Sequence, residues 1–355
     1  MAKSNRIYHY HVSLLFRGKG TSFKIGRKTS GYSGTHSYQD TFVFFQKTCN
    51  LVLSRTKKFE DGTILSNTNN SITTQIIKAL LCYYAITKDF PVLDSITIIR
   101  KKANEPDFVY SETDSFIQPI MSKVPRSLLC NPSTIDGLLE DNHRGQTLRI
   151  AMSYWLKGIA SDDVYYRFEH FWRAFNRLFM YQGNYPKEFN CMVVMRDFIL
   201  NNAAAFSQSI AITNAYSENM FMSYRWVRMI LNDYDTPNKT KALSDFIQRY
   251  HDCRIMKMFQ QKIVCRTDYL NSSGLWQGVN THIMNNMTSR VDAELVTLIA
   301  LKYGYFVRNK MFHGEIIDGT FRIRKNNLDN EVQCLNGLLE TLVFEIMENY
   351  LLLRL

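Results

Sequence analysis

The chain has 355 residues, which is long enough for two domains or one large domain. An apolar content of 45% and a charged content of 21% are typical of a globular protein and exclude an intrinsically disordered chain. The net charge of +11 favours an anionic partner over a basic one.

The N-terminal residues predict a mixed α and β region. Strands are predicted at Tyr8–Phe16, Thr21–Ile25 and Val92–Arg100, helices at Phe42–Leu53 and Ile72–Thr87, and a loop at Gly31–His36. Asn70 and Ser71 precede the second helix as capping residues. Turn-forming residues between Pro125 and Gly145 predict a boundary that separates a domain at 1–140 from one at 141–355.

The positive charge is concentrated at the N-terminus, where residues 1–60 hold eleven Lys or Arg residues against two acidic ones. Aromatic residues are interleaved with these cations, and this combination is typical of surfaces that track phosphates and stack bases. We predict RNA contacts at Lys19, Lys24, Arg27 and Lys28. The alternatives are solvated charge, or a sensor or partner-binding domain whose charge serves an acidic protein or a nucleotide ligand.

Residues 141–355 predict an almost wholly helical domain. Apolar residues recur at helical spacing in segments at Thr147–Ile159, Asp162–Tyr181, Pro186–Ser207, Glu218–Asp233, Thr240–Ile263, Asp292–Phe312 and Leu328–Leu353. The fold class predicted for the whole chain is mainly α, with a smaller α+β domain in front of a helical bundle.

Membrane, metal and disulfide chemistry find no support in the sequence. The longest apolar run, Ala79–Ile86, is far too short to span a bilayer, so we expect no transmembrane helix and no signal peptide. The seven cysteines are odd in number and scattered, which indicates a reducing cytoplasm. The histidines and cysteines show no metal-ligand spacing, so we expect no metal and no cofactor.

One motif contains residues that could act in catalysis. Arg308 and His313 lie at the end of the segment that starts at Asp292, five residues and about 140° of helix rotation apart. Gly314 is placed to end the helix, which would free His313 to turn toward Arg308. A histidine can move the proton of a 2′-hydroxyl, and a guanidinium can hold two phosphoryl oxygens. A second match to the spacing, Arg6 to His11, lies in a strand-like context and is set aside.

The motif and its setting resemble a known family. Arg308-Asn309-x-x-x-His313-Gly314 at a helix end resembles the signature of HEPN (higher eukaryotes and prokaryotes nucleotide-binding) domains. The segment Tyr165–Phe179 is similar to their first core helix, with the apolar stripe Phe168, Trp172, Phe175 and Phe179. The resemblance covers roughly residues 147–355 and implies a helical insertion at about 186–288.

The resemblance implies a four-helix bundle that dimerises and brings two Arg-x4-His motifs into one cleft. It further implies a metal-independent ribonuclease of a toxin or phage-defence system, with RNA as substrate and 2′,3′-cyclic phosphate ends as product. Asn309, Glu169 and Asn176 are the candidates for supporting the site. An Asp318-Gly319 hairpin would place Arg322, Arg324 and Lys325 near the RNA, or these cations could protect a strand edge.

Two other interpretations of the motif stay open. The domain could keep the fold as an RNA-binding or scaffold protein without turnover. His313 could be a simple helix-capping histidine and Arg308 a surface cation. HEPN toxins paired with a minimal nucleotidyltransferase usually carry Tyr two residues after the His, where this chain has Glu315.

Overall fold

A computed structural model describes residues 7–17, 24–33, 37–59, 64–65, 70–87, 92–102, 105–113, 132–313 and 327–354. They form two compact units. The first runs to Ser161 and takes in Met347–Leu353, whereas the second comprises Asp162–Ile346 and Arg354. The boundary predicted after residue 140 therefore falls inside the first unit.

The first unit contains an antiparallel sheet with the strand order β2-β3-β4-β1-β5-β6. The strands are β1 (Tyr8–Phe16), β2 (Lys24–Ser33), β3 (Ser37–Phe45), β4 (Thr48–Arg55), β5 (Leu93–Lys101) and β6 (Phe108–Thr113). In β1 every second side chain, from Tyr8 to Phe16, is buried, which is the alternation that predicted this strand. The prediction of β5 is also confirmed within one residue at each end.

The helix predicted at Phe42–Leu53 is wrong, because this segment forms parts of β3 and β4. Phe42 and Phe44 are buried while Val43 is half-buried, which is a two-residue period. The apolar run is too short for the periodicity of its sequence to distinguish a helix from a strand. Pairing with a distant strand decides the outcome, since Leu51 lies opposite Val12 of β1. The loop predicted from Gly31 is likewise wrong at its start, because β2 continues to Ser33.

The described part of the first unit also contains the α-helices α1 (Ser71–Thr87), α2 (Pro132–Leu139) and α3 (His143–Ile159). The α1 helix begins where predicted, and Asn70 caps it by accepting a hydrogen bond from the N–H of Thr73 at 2.8 Å. Tyr83 of α1 stacks on Phe16 of β1, with ring centroids 3.8 Å apart. The sheet therefore buries one face against α1.

The second unit is helical throughout its described residues. Its helices are α4 (Val164–Gly183), α5 (Glu188–Asn201), α6 (Ser207–Asn214), α7 (Glu218–Met222), α8 (Trp226–Asp233), α9 (Thr240–Gln248), α10 (Cys253–Lys262), α11 (Thr267–Ser272), α12 (Trp276–Asn285), α13 (Asp292–Thr297), α14 (Gly304–Phe312) and α15 (Asn327–Glu348). A π-helical turn at Leu298–Tyr303 joins α13 to α14 without a break. The mainly helical class predicted for this part of the chain is confirmed.

Three predicted helices are broken into shorter ones. In the segment predicted at Pro186–Ser207 the α-helix ends at Asn201, and a 3-10 turn follows at Ala203–Phe206. The segment Glu218–Asp233 is interrupted near Arg225, whose backbone N–H donates to the hydroxyl of Tyr303 at 3.1 Å. The segment Thr240–Ile263 is interrupted near Asp252, which is fully buried and caps α10 by accepting from the N–H of Arg254 at 3.0 Å. The breaks near Arg225 and Asp252 involve partners distant in sequence, since Asp252 also accepts from the N–H of Val291 at 2.9 Å, so local periodicity could not reveal them.

Candidate functional site

The helix that carries Arg308 runs from Asp292 through the π-helical turn to Phe312, as predicted. Tyr303 fixes this turn, because its buried hydroxyl donates to a carboxylate oxygen of Glu331 at 2.5 Å. Burial and the nearby charge of Glu331 raise the pKa of Tyr303, so the hydroxyl keeps its proton. Single π-helical turns within α-helices occur frequently at functional sites.

The α4 helix supports this helix from the side. The predicted stripe Phe168, Trp172, Phe175 and Phe179 is buried in the core. Trp172 packs so closely that a Cβ on Gly304 would lie 3.2 Å from its atom Cζ3. The rings of Trp172 and Tyr305 have centroids 6.1 Å apart. The α4 helix and the Arg308 helix are therefore direct neighbours.

The guanidinium of Arg308 lies over two rings, with Cζ 4.9 Å from the centroid of Phe312 and 5.9 Å from that of Tyr305. Its Nη1 donates to Oδ1 of Asn309 at 2.8 Å, whereas Nε is buried without a hydrogen-bond partner among the described residues. Within these residues no carboxylate pairs with Arg308. Arg308 is therefore a positioned cation that can bind an anion.

His313 follows α14 directly and is exposed. Its backbone N–H donates to the carbonyl oxygen of Asn309 at 3.0 Å, so the backbone is anchored while the imidazole remains accessible. No hydrogen bond within the described part of the chain joins the imidazole to Arg308. Gly314, which was predicted to end the helix, lies outside the described residues.

Of the three residues predicted to support the site, the structure brings only Asn309 into contact with Arg308. Glu169 pairs instead with Arg173 at 2.5 Å, on the same helix. Asn176 donates from Nδ2 to Oε1 of Glu188 at 2.7 Å, which ties α4 to α5. These contacts give Glu169 a structural role within α4 and Asn176 a structural role between α4 and α5.

The predicted RNA-binding cations of the first unit differ in their surroundings. Arg27 is exposed on β2, whereas Nζ of Lys28 pairs with Oδ1 of Asp136 at 2.7 Å. Lys24 begins β2, and its side chain lies outside the described part of the structure. Lys19, the Asp318-Gly319 hairpin, Arg322, Arg324 and Lys325 also lie outside the described residues.

Arg55, one of the eleven cationic residues at positions 1–60, is buried and therefore not accessible to RNA. Arg55 donates through both Nη atoms to Asp40, at 2.9 Å and 2.7 Å. Both side chains are almost completely buried, and Gln75 donates to the same carboxylate at 2.6 Å. Part of the local positive charge is therefore neutralised inside the first unit.

A cavity of about 510 Å³ in the second unit lies beside the Arg308 helix, and sequence reasoning missed it. Residues of α5, α8 and α9 and of the Asp292–Phe312 helix line it, Tyr305 among them. No local signal could have revealed this cavity, because its walls come from segments far apart in the chain. Arg196, Arg249 and Lys302 bring positive charge to its walls.

Among the described residues, no group of three or more His, Cys, Asp or Glu side chains is arranged to hold a metal ion. No helix in the described ranges is long and apolar enough to cross a membrane. The chain matches no protein-family model, no curated protein and no solved structure.

Proposed function

We propose that the chain is a metal-independent endoribonuclease of the HEPN type, with Arg308 and His313 as its catalytic residues. The observation that carries the proposal is the end of α14, where a guanidinium without a carboxylate partner in the described residues is followed by an exposed imidazole. The neighbouring positions of α4 and the Arg308 helix also support it, since the family resemblance joins these two segments.

The chemistry can be assigned to these side chains. Neutral His313 would accept the proton of a 2′-hydroxyl as its oxygen attacks the adjacent phosphorus. Arg308 would donate hydrogen bonds to the non-bridging oxygens, whose negative charge grows in the transition state. The bond from phosphorus to the 5′-oxygen then breaks, and that oxygen takes up a proton. The products are a 2′,3′-cyclic phosphate and a 5′-hydroxyl.

The leaving 5′-oxygen needs a proton donor distinct from the base that has just been protonated. Because the motif supplies one histidine per chain, we propose a homodimer in which the histidine of a second copy is this acid. The exposure of His313 supports this arrangement, because an exposed imidazole is accessible to a second copy.

The biological setting is proposed from the resemblance alone. A toxin or phage-defence effector would cleave cellular RNA once a trigger acts or an antitoxin is removed, and the first unit would sense that event or hold RNA. The free thiols of the six described cysteines support a cytoplasmic location.

The test is cleavage of single-stranded RNA by the purified full chain, with and without EDTA. We expect cleavage that EDTA does not change and a cyclic phosphate at the new 3′ end. His313→Ala should lower the rate by about 10²–10⁴-fold, the usual contribution of acid–base catalysis. The matched control is His143→Ala, at an exposed position in α3, which should leave the rate unchanged.

Two results would contradict the proposal. Cleavage by His313→Ala at the parent rate would remove the catalytic role of that residue. RNA binding without turnover in the parent protein would favour the RNA-binding or scaffold interpretation instead.

A further inference from the structure

The cavity in the second unit has the size and composition of a ligand site. Its volume of about 510 Å³ lies within the range of about 300–1,000 Å³ that small-molecule sites occupy. Its walls combine aromatic rings with four cations and two carboxylates, so that positive charge prevails. This combination suits a ligand with both a flat ring and an anionic group.

Most of the charged groups at the cavity already have partners. Lys302 pairs with Asp233 at 2.6 Å, and Lys239 pairs with Asp235 at 2.9 Å. Asp245 pairs with Lys241. Arg196 pairs with Asp197 at 2.9 Å, so among the cations that line the cavity Arg249 alone has no ion pair within the described residues.

Arg249 and Arg196 retain hydrogen-bonding capacity. The guanidinium of Arg249 makes no hydrogen bond or ion pair with any residue that the structure describes. Arg196 is held in place, because its Nη1 donates to Oδ1 of Asp197 at 2.9 Å and its Nη2 donates to the carbonyl oxygen of Arg249 at 2.9 Å. Its Cζ lies 5.6 Å from the ring centroid of Tyr250. Its Nε is buried without a hydrogen-bond partner among the described residues. Two guanidinium groups at one cavity wall are suited to a phosphate.

One aromatic ring is free to stack on a ligand. Lys302 lies over the rings of Tyr234 and Phe246, 5.0 Å from each centroid, and these rings are buried. Phe189, at the start of α5, is 60% exposed although its side chain is large and apolar. A base stacked on Phe189 would cover apolar surface that otherwise faces water.

Tyr305 connects this cavity to the proposed catalytic residues. Its side chain lines the cavity, and the guanidinium of Arg308 lies 5.9 Å from its ring centroid. A ligand in the cavity is therefore separated from Arg308 by one side chain. This arrangement would let one nucleotide unit lie in the cavity while a neighbouring unit of the same strand contacts Arg308.

We infer that this cavity binds one nucleotide unit, with the base stacked on Phe189 and a phosphate held by Arg249 and Arg196. The cavity adjoins Arg308, so we assign this nucleotide unit to the single-stranded RNA substrate. That assignment rests on the proposed function. A free nucleotide has the same chemistry, so the experiment distinguishes the two sources.

The test measures binding of fluorescein-labelled RNA hexamers of each base to the full-length His313→Ala variant, which should not cleave them. Phe189→Ala should weaken binding by roughly 5- to 150-fold, the effect of removing one base-stacking interaction of about 1–3 kcal/mol. Arg249→Ala should weaken it and flatten the log-affinity versus log-salt slope by about 0.7. The matched controls are Tyr185→Ala and Arg228→Ala, exposed residues outside the cavity lining that should bind like the parent.

Nucleoside 5′-monophosphates are then added as competitors, and circular dichroism checks each variant for folding. Displacement of the hexamer by a monophosphate, abolished in Phe189→Ala, would support a substrate site. A monophosphate that binds while no hexamer does would overturn the assignment to RNA.

The proposed function and this inference can fail separately. RNA cleavage by the parent with equal hexamer affinities for the Phe189→Ala, Arg249→Ala and control variants would overturn the cavity site and leave the ribonuclease intact. Nucleotide binding that depends on Phe189, in a parent that cleaves no RNA, would overturn the ribonuclease and leave nucleotide binding at the cavity.

Discussion

The guanidinium of Arg308 lies over the ring of Phe312, with Cζ 4.9 Å from the ring centroid. Phe312 is 48% exposed, which is unusual for a large apolar side chain. A cation over an aromatic face gains about 0.5–1 kcal/mol at an exposed site. The contact positions Arg308 at the end of α14 and gives a reason for an exposed phenylalanine there.

Replacing Phe312 should therefore affect catalysis mildly. We expect Phe312→Leu to lower the single-turnover rate of RNA cleavage by roughly two- to fivefold, because Arg308 no longer has this interaction of about 0.5–1 kcal/mol. Phe312→Tyr keeps an aromatic face and serves as the matched control, with a rate near that of the parent. Equal rates for the Leu and Tyr variants would show that the ring does not position Arg308.

Arg308→Lys should be severely impaired. An ammonium cannot make the planar two-point contact with phosphoryl oxygens, and the hydrogen bond from Nη1 to Asn309 disappears. Removing one preorganised donor typically costs about 10²–10³ in rate, and we expect a decrease of this size in single-turnover cleavage. Arg228→Lys, at an exposed position in α8, is the control and should cleave like the parent. A decrease of only a few-fold in Arg308→Lys would make Arg308 a structural residue.

Arg27, which is exposed on β2, should affect RNA binding and not the chemical step of cleavage. If Arg27 binds a phosphate, Arg27→Glu should weaken RNA binding at low salt and flatten the log-affinity versus log-salt slope by about 0.7 for each phosphate that is no longer neutralised. Cleavage at saturating protein should be unchanged, because Arg308 and His313 are intact. Titrations between low and high salt, followed by single-turnover assays, measure both quantities.

Lys28 is a weaker place to test the same idea, because Lys28→Glu would set two carboxylates against each other at Asp136. The control for Arg27→Glu is Arg228→Glu in the second unit, which should keep the parent slope. A parent-like slope in Arg27→Glu, combined with loss of the response to a trigger, would identify the first unit as a sensor instead.

The proposed composite cleft predicts that an inactive copy inhibits the parent. Excess His313→Ala mixed with the parent at saturating RNA should lower the rate below that of the same amount of parent alone, because a heterodimer contains one intact histidine where the proposed mechanism uses two. Sedimentation velocity at the assay concentration should show a dimer. An active monomer at that concentration, or a parent rate that excess His313→Ala leaves unchanged, would contradict the dimer.

The sequence predicted the elements whose patterns are long and regular. Alternation in Tyr8–Phe16 indicated β1, and the apolar stripe of Tyr165–Phe179 indicated the buried face of α4. It also placed Arg308 and His313 correctly at the end of a long helix. These features depend on periodicity and turn chemistry within one segment, which a sequence records directly.

The tertiary structure decided the features that depend on distant partners. Phe42–Leu53 forms strands because β1 is available to pair with β4, and the break at Arg225 reflects the hydroxyl of Tyr303. Asn176 of α4 bonds Glu188 of α5, and the cavity walls come from segments separated along the chain. A sequence sets local backbone preference, but these outcomes depend on packing free energy gained only when remote side chains meet.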